Sequence, residues 1–130
     1  ASHDLSAKIA THAGDFTSDP FPSGSDVIIM ASNLPQYGAE NIRLVAAKAA
    51  EALAPGGEFH LIGEMLNSDR RGPPDPALWA LAETLVRSEG RAHSIDECIG
   101  YLADAGLERV QAHEFIPGVL TRVIGIKATR

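Results

Sequence analysis

The fold of this chain is decided by the stretch that begins with DVIIM at positions 26–30 and ends with EALAPGG at positions 51–57. The first segment is a short, unbroken apolar run rich in β-branched residues, which is typical of a central parallel strand buried on both faces. Residues 39–53 carry apolar side chains at helical spacing, namely Ile42, Val45, Ala46, Ala49 and Leu53. Pro55 and the two glycines end that helix. Since residues 58–62 predict the next strand, the unit predicts a parallel crossover.

The segments around this unit predict the rest of an α/β sheet. Residues 8–13 read as a short strand. Residues 17–25 are rich in proline, glycine, serine and threonine, which predicts turns. A polar loop at 67–74 precedes Asp75 and Pro76, which are typical of a helix cap and a first-turn proline. The predicted apolar side of this helix consists of Leu78, Trp79, Ala82, Leu85 and Val86.

The last third of the chain predicts one more helix and a strand pair. Ser94 and Glu97 have the spacing of a capping box, and Gly106 marks the end of the helix that they open. Residues 108–115 and 119–127 read as two strands joined by a Pro-Gly turn, an antiparallel pair that closes the sheet. The predicted fold class is therefore α/β, with parallel strands followed by an antiparallel pair.

Composition excludes several classes of partner. The chain of 130 residues has the length of one domain, a net charge of −6 and no cluster of Lys or Arg, so neither nucleic acid nor an anionic membrane is an expected partner. No apolar run has membrane-spanning length. The single cysteine, Cys98, fits a reducing cytoplasm and is expected to be a buried small hydrophobe. No His lies at metal-ligand spacing from another ligand type, so no metal site is predicted.

Five segments carry a resemblance by their order and spacing: AGDF at 13–16, SDVIIM at 25–30, EALAPGG at 51–57, GRAHS at 90–94 and ADAGLERV at 103–110. Together they resemble class I S-adenosylmethionine-dependent methyltransferases, specifically the small-molecule O-methyltransferases of bacteria and plants. Each segment alone is weak, whereas the ordered set covers nearly the whole chain.

The resemblance implies a Rossmann-like catalytic domain in a homodimeric enzyme. It places residues 1–130 in the carboxyl-terminal part of that domain, with strands three to seven. The first two strands, the glycine-rich loop and the ribose-binding acid would be missing. Residues 8–13 would then be a third strand without a neighbour. The free edge at 26–30 is expected to pair with a second copy or an exchanged strand.

By the same resemblance the cofactor is S-adenosylmethionine. Asp15 would accept a hydrogen bond from the adenine amino group while Phe16 packs against the ring, and Met30, Ala31 and Ser32 would line the methionine portion. The alternative for Asp15 and Phe16 is a turn cap beside a core aromatic residue, which needs no ligand. The alternative for the other three is an ordinary strand end, at the edge where open α/β sheets place ligands.

The expected catalytic base is missing. Many family members carry a His that deprotonates the acceptor hydroxyl where this chain has Pro35, and proline cannot accept a proton. His93 and Glu64 are the weak catalytic candidates that remain. Glu64 lies one residue beyond Gly63, which stands where the family tends to carry an acid, and a solvent-facing Glu is the alternative. His60 is expected to be a hydrogen-bonded core residue.

Three residues are candidates for binding the methyl acceptor. By resemblance Asn33 follows the central strand at the pocket, Trp79 lies on the acceptor-pocket helix, and Arg91 could pair with an acidic acceptor. The alternatives are an ordinary loop residue for Asn33, plain core for Trp79 and a solvated loop residue for Arg91.

The predicted function is methyl transfer from S-adenosylmethionine to an oxygen of a small, aromatic metabolite, as part of a longer enzyme. Without the glycine-rich loop, the isolated chain is expected to bind the cofactor weakly and to be inactive. One alternative is a non-catalytic α/β remnant with a role in assembly, which Pro35 favours. Another is a family member that runs different chemistry, such as decarboxylation or hydroxylation of the acceptor.

Overall fold

The computed structural model describes residues 4–86 and 89–130. In chain order its elements are β1 (Ser25–Ala31), a 3₁₀ turn (Leu34–Gln36), α1 (Ala39–Ala52), β2 (Leu53–Gly63), β3 (Met65–Leu66), α2 (Pro74–Val86), β4 (His93–Ser94), α3 (Ile95–Asp104), β5 (Glu108–Ile116) and β6 (Leu120–Ile126).

Four strands form one mixed sheet in the order β1-β2-β6-β5. β1 and β2 are parallel, with Ala31 opposite Ile62, while β6 runs antiparallel to both β2 and β5. This arrangement confirms the predicted fold class, the parallel crossover through α1 and the antiparallel terminal pair. β3 and β4 form a separate parallel pair that the sequence did not predict.

The core lies between the sheet and the helices α1 and α3. Phe59 and Leu61 of β2 and Val123 of β6 are at most 1% exposed, and they join the predicted apolar residues of α1 in one cluster. The predicted capping box of α3 is confirmed, because Ser94 Oγ accepts from the Glu97 N–H and the Glu97 side chain accepts from the Ser94 N–H. Gly106 follows that helix with a φ of +84°, a conformation that favours glycine.

The prediction that β1 is buried on both faces was wrong. Ile28 and Met30 pack against the core, whereas Val27 and Ile29 are 50% and 61% exposed. The physical reason is position, since β1 is the outermost strand of the sheet and α1 and α3 bury only the face that carries Ile28 and Met30. An unbroken apolar run does not distinguish a covered face from an uncovered one.

The predicted strand at 8–13 was also wrong. This segment is exposed and belongs to neither sheet of the described residues. A strand needs a neighbour to take up its backbone hydrogen bonds, and the described sheet ends at β1.

The helix predicted near Asp75 is present, but its apolar side was misassigned. α2 begins at Pro74, so Asp75 lies in its first turn, and its buried residues are Pro76 and Ala80. The predicted apolar residues instead face outward; among them Leu78, Trp79, Leu85 and Val86 are 54% to 81% exposed. The side of the helix with Pro76 and Ala80 is buried, and the helix contacts β3 and the 3₁₀ turn.

Candidate functional site

A groove of about 510 Å³ runs beside the free edge of β1. β1 supplies one wall and the loop that precedes it supplies the other, with Phe16 and Phe21. Of the residues predicted to bind a ligand, the structure brings four together along this groove, namely Phe16, Met30, Ala31 and Asn33. The groove runs along the whole of β1 and reaches its carboxyl end, the edge where open α/β sheets bind ligands.

The aromatic wall of the groove is held by α1. The Phe16 ring stands edge-on to the Tyr37 ring, with centroids 5.1 Å apart. Lys48 of α1 donates a hydrogen bond from Nζ to the Phe16 carbonyl, and its ammonium lies 4.4 Å from the centroid of the Phe21 ring. One lysine thus fastens both aromatic residues of a loop that has no regular secondary structure.

Sequence reasoning missed Phe21, Tyr37 and Lys48 as residues that build the groove. The signal for Phe21 was available, because it stands between two prolines in the turn segment, where a large apolar side chain needs a surface to cover. Lys48 gave no such signal, since a lysine on a helix is usually a solvated residue.

Asp15 makes the contacts of a turn cap. Its Oδ1 accepts hydrogen bonds from the Thr17 N–H at 2.9 Å and from Thr17 Oγ1 at 2.6 Å, and its own N–H donates to Asp19 Oδ2 at 2.8 Å. The bonds from Thr17 hold the pKa of the exposed Asp15 carboxyl below its ordinary value. Asp15 borders a second, smaller cavity of about 120 Å³ next to Phe16 rather than the groove itself.

Ser32 and Asn33 turn the chain away from the sheet. Ser32 has a φ of +61° and donates its N–H to the Ile62 carbonyl at 3.0 Å, but it does not line the groove. Asn33 does line it, and its Oδ1 is buried without a hydrogen-bond partner.

Pro35, which stands where a base was expected, is buried in the 3₁₀ turn. Its carbonyl accepts a hydrogen bond from the Arg91 N–H at 3.0 Å. The neighbouring Leu34 is fully buried and packs on Gly63, where a Cβ would stand only 2.7 Å from Leu34 Cβ. A side chain at position 63 is therefore excluded, and Glu64 is the first position at the end of β2 that can carry an acid.

His93 was a candidate catalytic residue, and the structure places it in the core. It is fully buried. Nε2 lies 2.7 Å from the Tyr37 carbonyl and therefore donates, so Nδ1 accepts from Tyr101 Oη at 3.0 Å. Burial lowers the pKa of His93, against the opposing effect of the Tyr37 carbonyl. Because both ring nitrogens are engaged, this imidazole has no free lone pair for a substrate.

Arg91 and Trp79 are also away from the groove. Arg91 Nη2 forms an ion pair of 2.8 Å with Glu97 Oε1, and Arg70 pairs with the other oxygen of Glu97 at 3.2 Å. Trp79 lies on the outward side of α2 and is 54% exposed. Arg91 thus connects the 3₁₀ turn to α3, because its N–H bonds to the Pro35 carbonyl and its guanidinium pairs with Glu97.

The remaining predictions concern single residues. His60 forms a hydrogen bond of 2.8 Å with Glu58 Oε2, as expected of a satisfied residue. Cys98 is fully buried, which confirms its prediction as a small hydrophobe, and burial raises the pKa of its thiol. Within residues 4–86 and 89–130, no three His, Cys, Asp or Glu side chains are grouped so as to hold a metal ion. None of the helices in these ranges is long and apolar enough to cross a membrane.

Comparison with known proteins identifies one family. Residues 1–108 match the sequence profile of the O-methyltransferase domain. A 3-hydroxy-5-methyl-1-naphthoate 3-O-methyltransferase of Streptomyces sahachiroi is 36% identical over 95% of this chain and 36% of its own length. A tetracenomycin polyketide 8-O-methyl transferase of Streptomyces glaucescens is 34% identical over 88% of the chain and 33% of its own length. The chain thus spans about a third of the length of these relatives.

Solved structures agree with this relationship. An O-methyltransferase family protein from Burkholderia thailandensis superposes with a TM-score of 0.84 at 25% identity, over 97% of this chain and 38% of that one. Human N-acetylserotonin methyltransferase in complex with SAM superposes with a TM-score of 0.79 at 27% identity, over 91% of this chain and 33% of that one.

Proposed function

We propose, because this chain belongs to the O-methyltransferase domain family, that it forms the carboxyl-terminal part of a methyltransferase catalytic domain. The reaction is transfer of a methyl group from S-adenosylmethionine to an oxygen of a small aromatic molecule. The observation that carries the proposal is the part of the groove at the carboxyl end of β1, which is lined by Met30, Ala31 and Asn33 together with the aromatic residues of the preceding loop.

The residues of the groove fit this cofactor. The partly buried rings of Phe16 and Phe21 offer apolar surface for a purine, and the Asp15 carboxylate beside them can accept hydrogen bonds from an exocyclic amine. Met30 and Ala31 offer an apolar wall for the methionine portion, and Ser32 follows them outside the groove. When bound, the cofactor supplies an electrophilic methyl group. The contribution of this chain is to orient the reactants and to exclude water.

The apolar and aromatic lining of the groove favours an aromatic acceptor. The groove is lined mainly by apolar and aromatic side chains, and Asn33 is its polar residue at the strand end. The relative from Streptomyces sahachiroi is named for a hydroxynaphthoate, a flat acceptor of the kind that such a surface accommodates. The acceptor of this chain is accordingly proposed to be a flat molecule with a hydroxyl group.

A homodimer in the cytoplasm completes the proposal. The outward side of α2, with Leu78, Trp79, Leu85 and Val86, exposes apolar area that a second subunit can cover. The single free thiol, Cys98, is consistent with a reducing compartment.

The test is a titration of the 130-residue chain with S-adenosylhomocysteine, followed by amide NMR shifts. We expect weak binding with a Kd of about 1 mM, which is about −4 kcal/mol, because the chain has no glycine-rich loop for the ribose and carboxylate. The shifts should cluster at Phe16, Met30, Ala31 and Asn33. Phe16→Leu should weaken binding, whereas Phe115→Leu, on the far strand β5, should leave it unchanged.

Two outcomes contradict the proposal. Shifts that cluster on β5 and β6, or no shifts at millimolar ligand, would show that the groove is not the cofactor site. A low-micromolar Kd would show instead that these 130 residues form a complete site, against the expectation of a partial one.

A non-catalytic role in assembly is the second candidate, favoured by Pro35 in the place of a base and by the uncovered edge of β1. It predicts that the chain associates with itself and that Phe16→Leu affects neither ligand shifts nor association. Sedimentation velocity on both variants separates the two candidates.

A further inference from the structure

Tyr37 connects the aromatic wall of the groove to the rest of the fold. It follows the 3₁₀ turn and precedes α1, and its ring stands edge-on to the ring of Phe16 with centroids 5.1 Å apart. Phe16 lines the groove, whereas Tyr37 does not. Tyr37 therefore supports the wall without offering a surface to a ligand, and what holds Tyr37 in place also holds the Phe16 ring.

Two hydrogen bonds join the segment that carries Tyr37 to residues 91–93. The Arg91 N–H donates to the Pro35 carbonyl at 3.0 Å, and His93 Nε2 lies 2.7 Å from the Tyr37 carbonyl. The first bond is made by the backbone, so it does not depend on the side chain at position 91. The second is made by the imidazole of a fully buried residue, so it depends on the residue type at position 93.

The bond to Tyr37 requires one tautomer of the imidazole. A carbonyl oxygen only accepts hydrogen bonds, so Nε2 must carry the proton. Which ring nitrogen is protonated is set by the partner of the other nitrogen, and here Nδ1 lies 3.0 Å from the hydroxyl of Tyr101. Tyr101 lies on α3 and is 2% exposed. By donating to Nδ1, its hydroxyl selects the tautomer that can bond to Tyr37.

We propose that His93 and Tyr101 are positioning residues for the cofactor end of the groove. The Tyr101 hydroxyl fixes the tautomer of His93, the imidazole fixes the Tyr37 carbonyl, and the Tyr37 ring orients Phe16 toward the purine. Neither His93 nor Tyr101 lines the groove, so both act through Tyr37. The inference rests on the proposed function, which assigns the purine to Phe16.

This role differs from that of Lys48. The Lys48 ammonium donates to the carbonyl of Phe16, so it fixes the backbone of the loop and leaves the ring free to turn about its side-chain bonds. The ring contact with Tyr37 restricts that rotation. A side chain that is already ordered before binding spares the ligand the cost of ordering it. Positioning by His93 should therefore raise the affinity for the purine without adding a contact to it.

The experiment compares two substitutions of His93 that keep different halves of the imidazole. In His93→Gln the amide nitrogen extends about as far as Nε2 and can donate to the Tyr37 carbonyl, whereas in His93→Asn it extends only about as far as Nδ1. The 130-residue chain and both variants are titrated with S-adenosylhomocysteine, followed by amide NMR shifts. We expect His93→Asn to raise the Kd about threefold and His93→Gln to stay near the parent value. Both variants should lose stability, so a merely structural role would raise the Kd in both.

A second pair of variants tests the tautomer directly. Tyr101→Phe removes the hydroxyl and keeps the buried ring, so long-range proton–nitrogen NMR spectra of His93 should show the proton on Nε2 in the parent and shared between both nitrogens in the variant. The Kd for S-adenosylhomocysteine should rise in parallel. The matched control is Arg43→Gln, which removes a guanidinium 5.0 Å from the centroid of the same Tyr101 ring but leaves the hydroxyl in place. It should change neither the tautomer nor the Kd.

Several results would overturn the inference. They are an equal Kd in His93→Gln and His93→Asn, an unchanged tautomer in Tyr101→Phe, or the same rise in Kd in Arg43→Gln as in Tyr101→Phe. Should the His93 variants fail to give dispersed amide spectra, the Tyr101 and Arg43 variants decide alone. Parent shifts at Phe16 and Met30 that no variant weakens remove this inference and leave the proposed function in place, whereas a parent chain without such shifts removes both.

Discussion

The two faces of the sheet differ in how completely the chain covers them. On one face, Phe59 and Leu61 are at most 1% exposed under α1 and α3, whereas on the other face Val27 and Ile29 of β1 are half exposed or more. Apolar residues on the two faces therefore contribute differently to the stability of the fold. The covered face stabilises the fold, and the uncovered edge of β1 forms one wall of the groove.

The largest expected effect is on the covered face. Phe59→Ala should lower the free energy of unfolding by about 3–5 kcal/mol, because it removes a buried ring and leaves a cavity. Ile29→Ala should cost less than about 1 kcal/mol, since most of that side chain is already in water. Urea denaturation of both variants measures the difference. Comparable losses would mean that the face with Ile29 is covered in solution.

The sequence predicted the covered face well because periodicity carries that information. The helical spacing of Ile42, Val45 and Ala49 identified the buried side of α1, and the capping box at Ser94 fixed the start of α3. These are local signals, in which the residue types that form the element also stabilise it. The same reasoning assigned Val27 to a buried face, because an apolar run does not say what lies next to it.

The candidate site was predictable only in part, for the same reason. Phe16, Met30 and Asn33 were predicted as ligand-binding residues by resemblance, and all three line the groove. The surroundings of His93 and Trp79 were not predictable because they depend on distant residues. The Tyr37 carbonyl that binds His93 is 56 positions away, and no pattern in the sequence indicates that pair.

The second expected effect concerns His93, which ties the core to the groove wall through Tyr37. His93→Ala should cost about 2–3 kcal/mol, because the Tyr101 hydroxyl and the Tyr37 carbonyl lose their partner in a buried site. Denaturant unfolding gives the magnitude. Phe16 amide exchange should rise as well, since its ring leans on Tyr37. A loss of stability without faster exchange at Phe16 would show that His93 does not stabilise the groove wall.

The pH dependence of stability follows from the same residue. The folded state lowers the pKa of His93 from 6.5 by burial, so below that value the unfolded state binds the proton more readily. The contribution of His93 is therefore complete above about pH 6.5 and is lost as the pH falls through the lowered folded value. Unfolding curves from pH 7.5 to about 5 should show this loss in the parent chain and a smaller one in His93→Gln. Equal slopes would contradict the burial of a neutral imidazole.

The third effect has the opposite sign and concerns Glu64, which follows β2 and whose Oε2 is buried without a hydrogen-bond partner among the described residues. Glu64→Gln should raise the stability of the ligand-free chain by about 1 kcal/mol, because it removes a charge from a buried oxygen without a partner. Glu58→Gln is the matched control; its amide can still bond to His60 but carries no charge, so the change should be neutral or slightly destabilising. Thermal unfolding at constant pH compares them. A destabilised Glu64→Gln would show that this carboxylate stabilises the fold and is not held for a ligand.

The smallest expected effect on stability, and the clearest on the groove, is that of Lys48→Met. Its ammonium contacts are partly exposed, so their loss should cost less than about 1 kcal/mol. The loop that carries Phe16 and Phe21 has no strand or helix of its own, so it should nevertheless become mobile on loss of this single anchor. Hydrogen exchange should accelerate at residues 15–22 and remain unchanged in α3, and S-adenosylhomocysteine shifts at Phe16 should weaken. If the loop stayed protected, packing on Tyr37 alone would hold the groove wall. The stability of the groove would then depend on the covered core and not on Lys48.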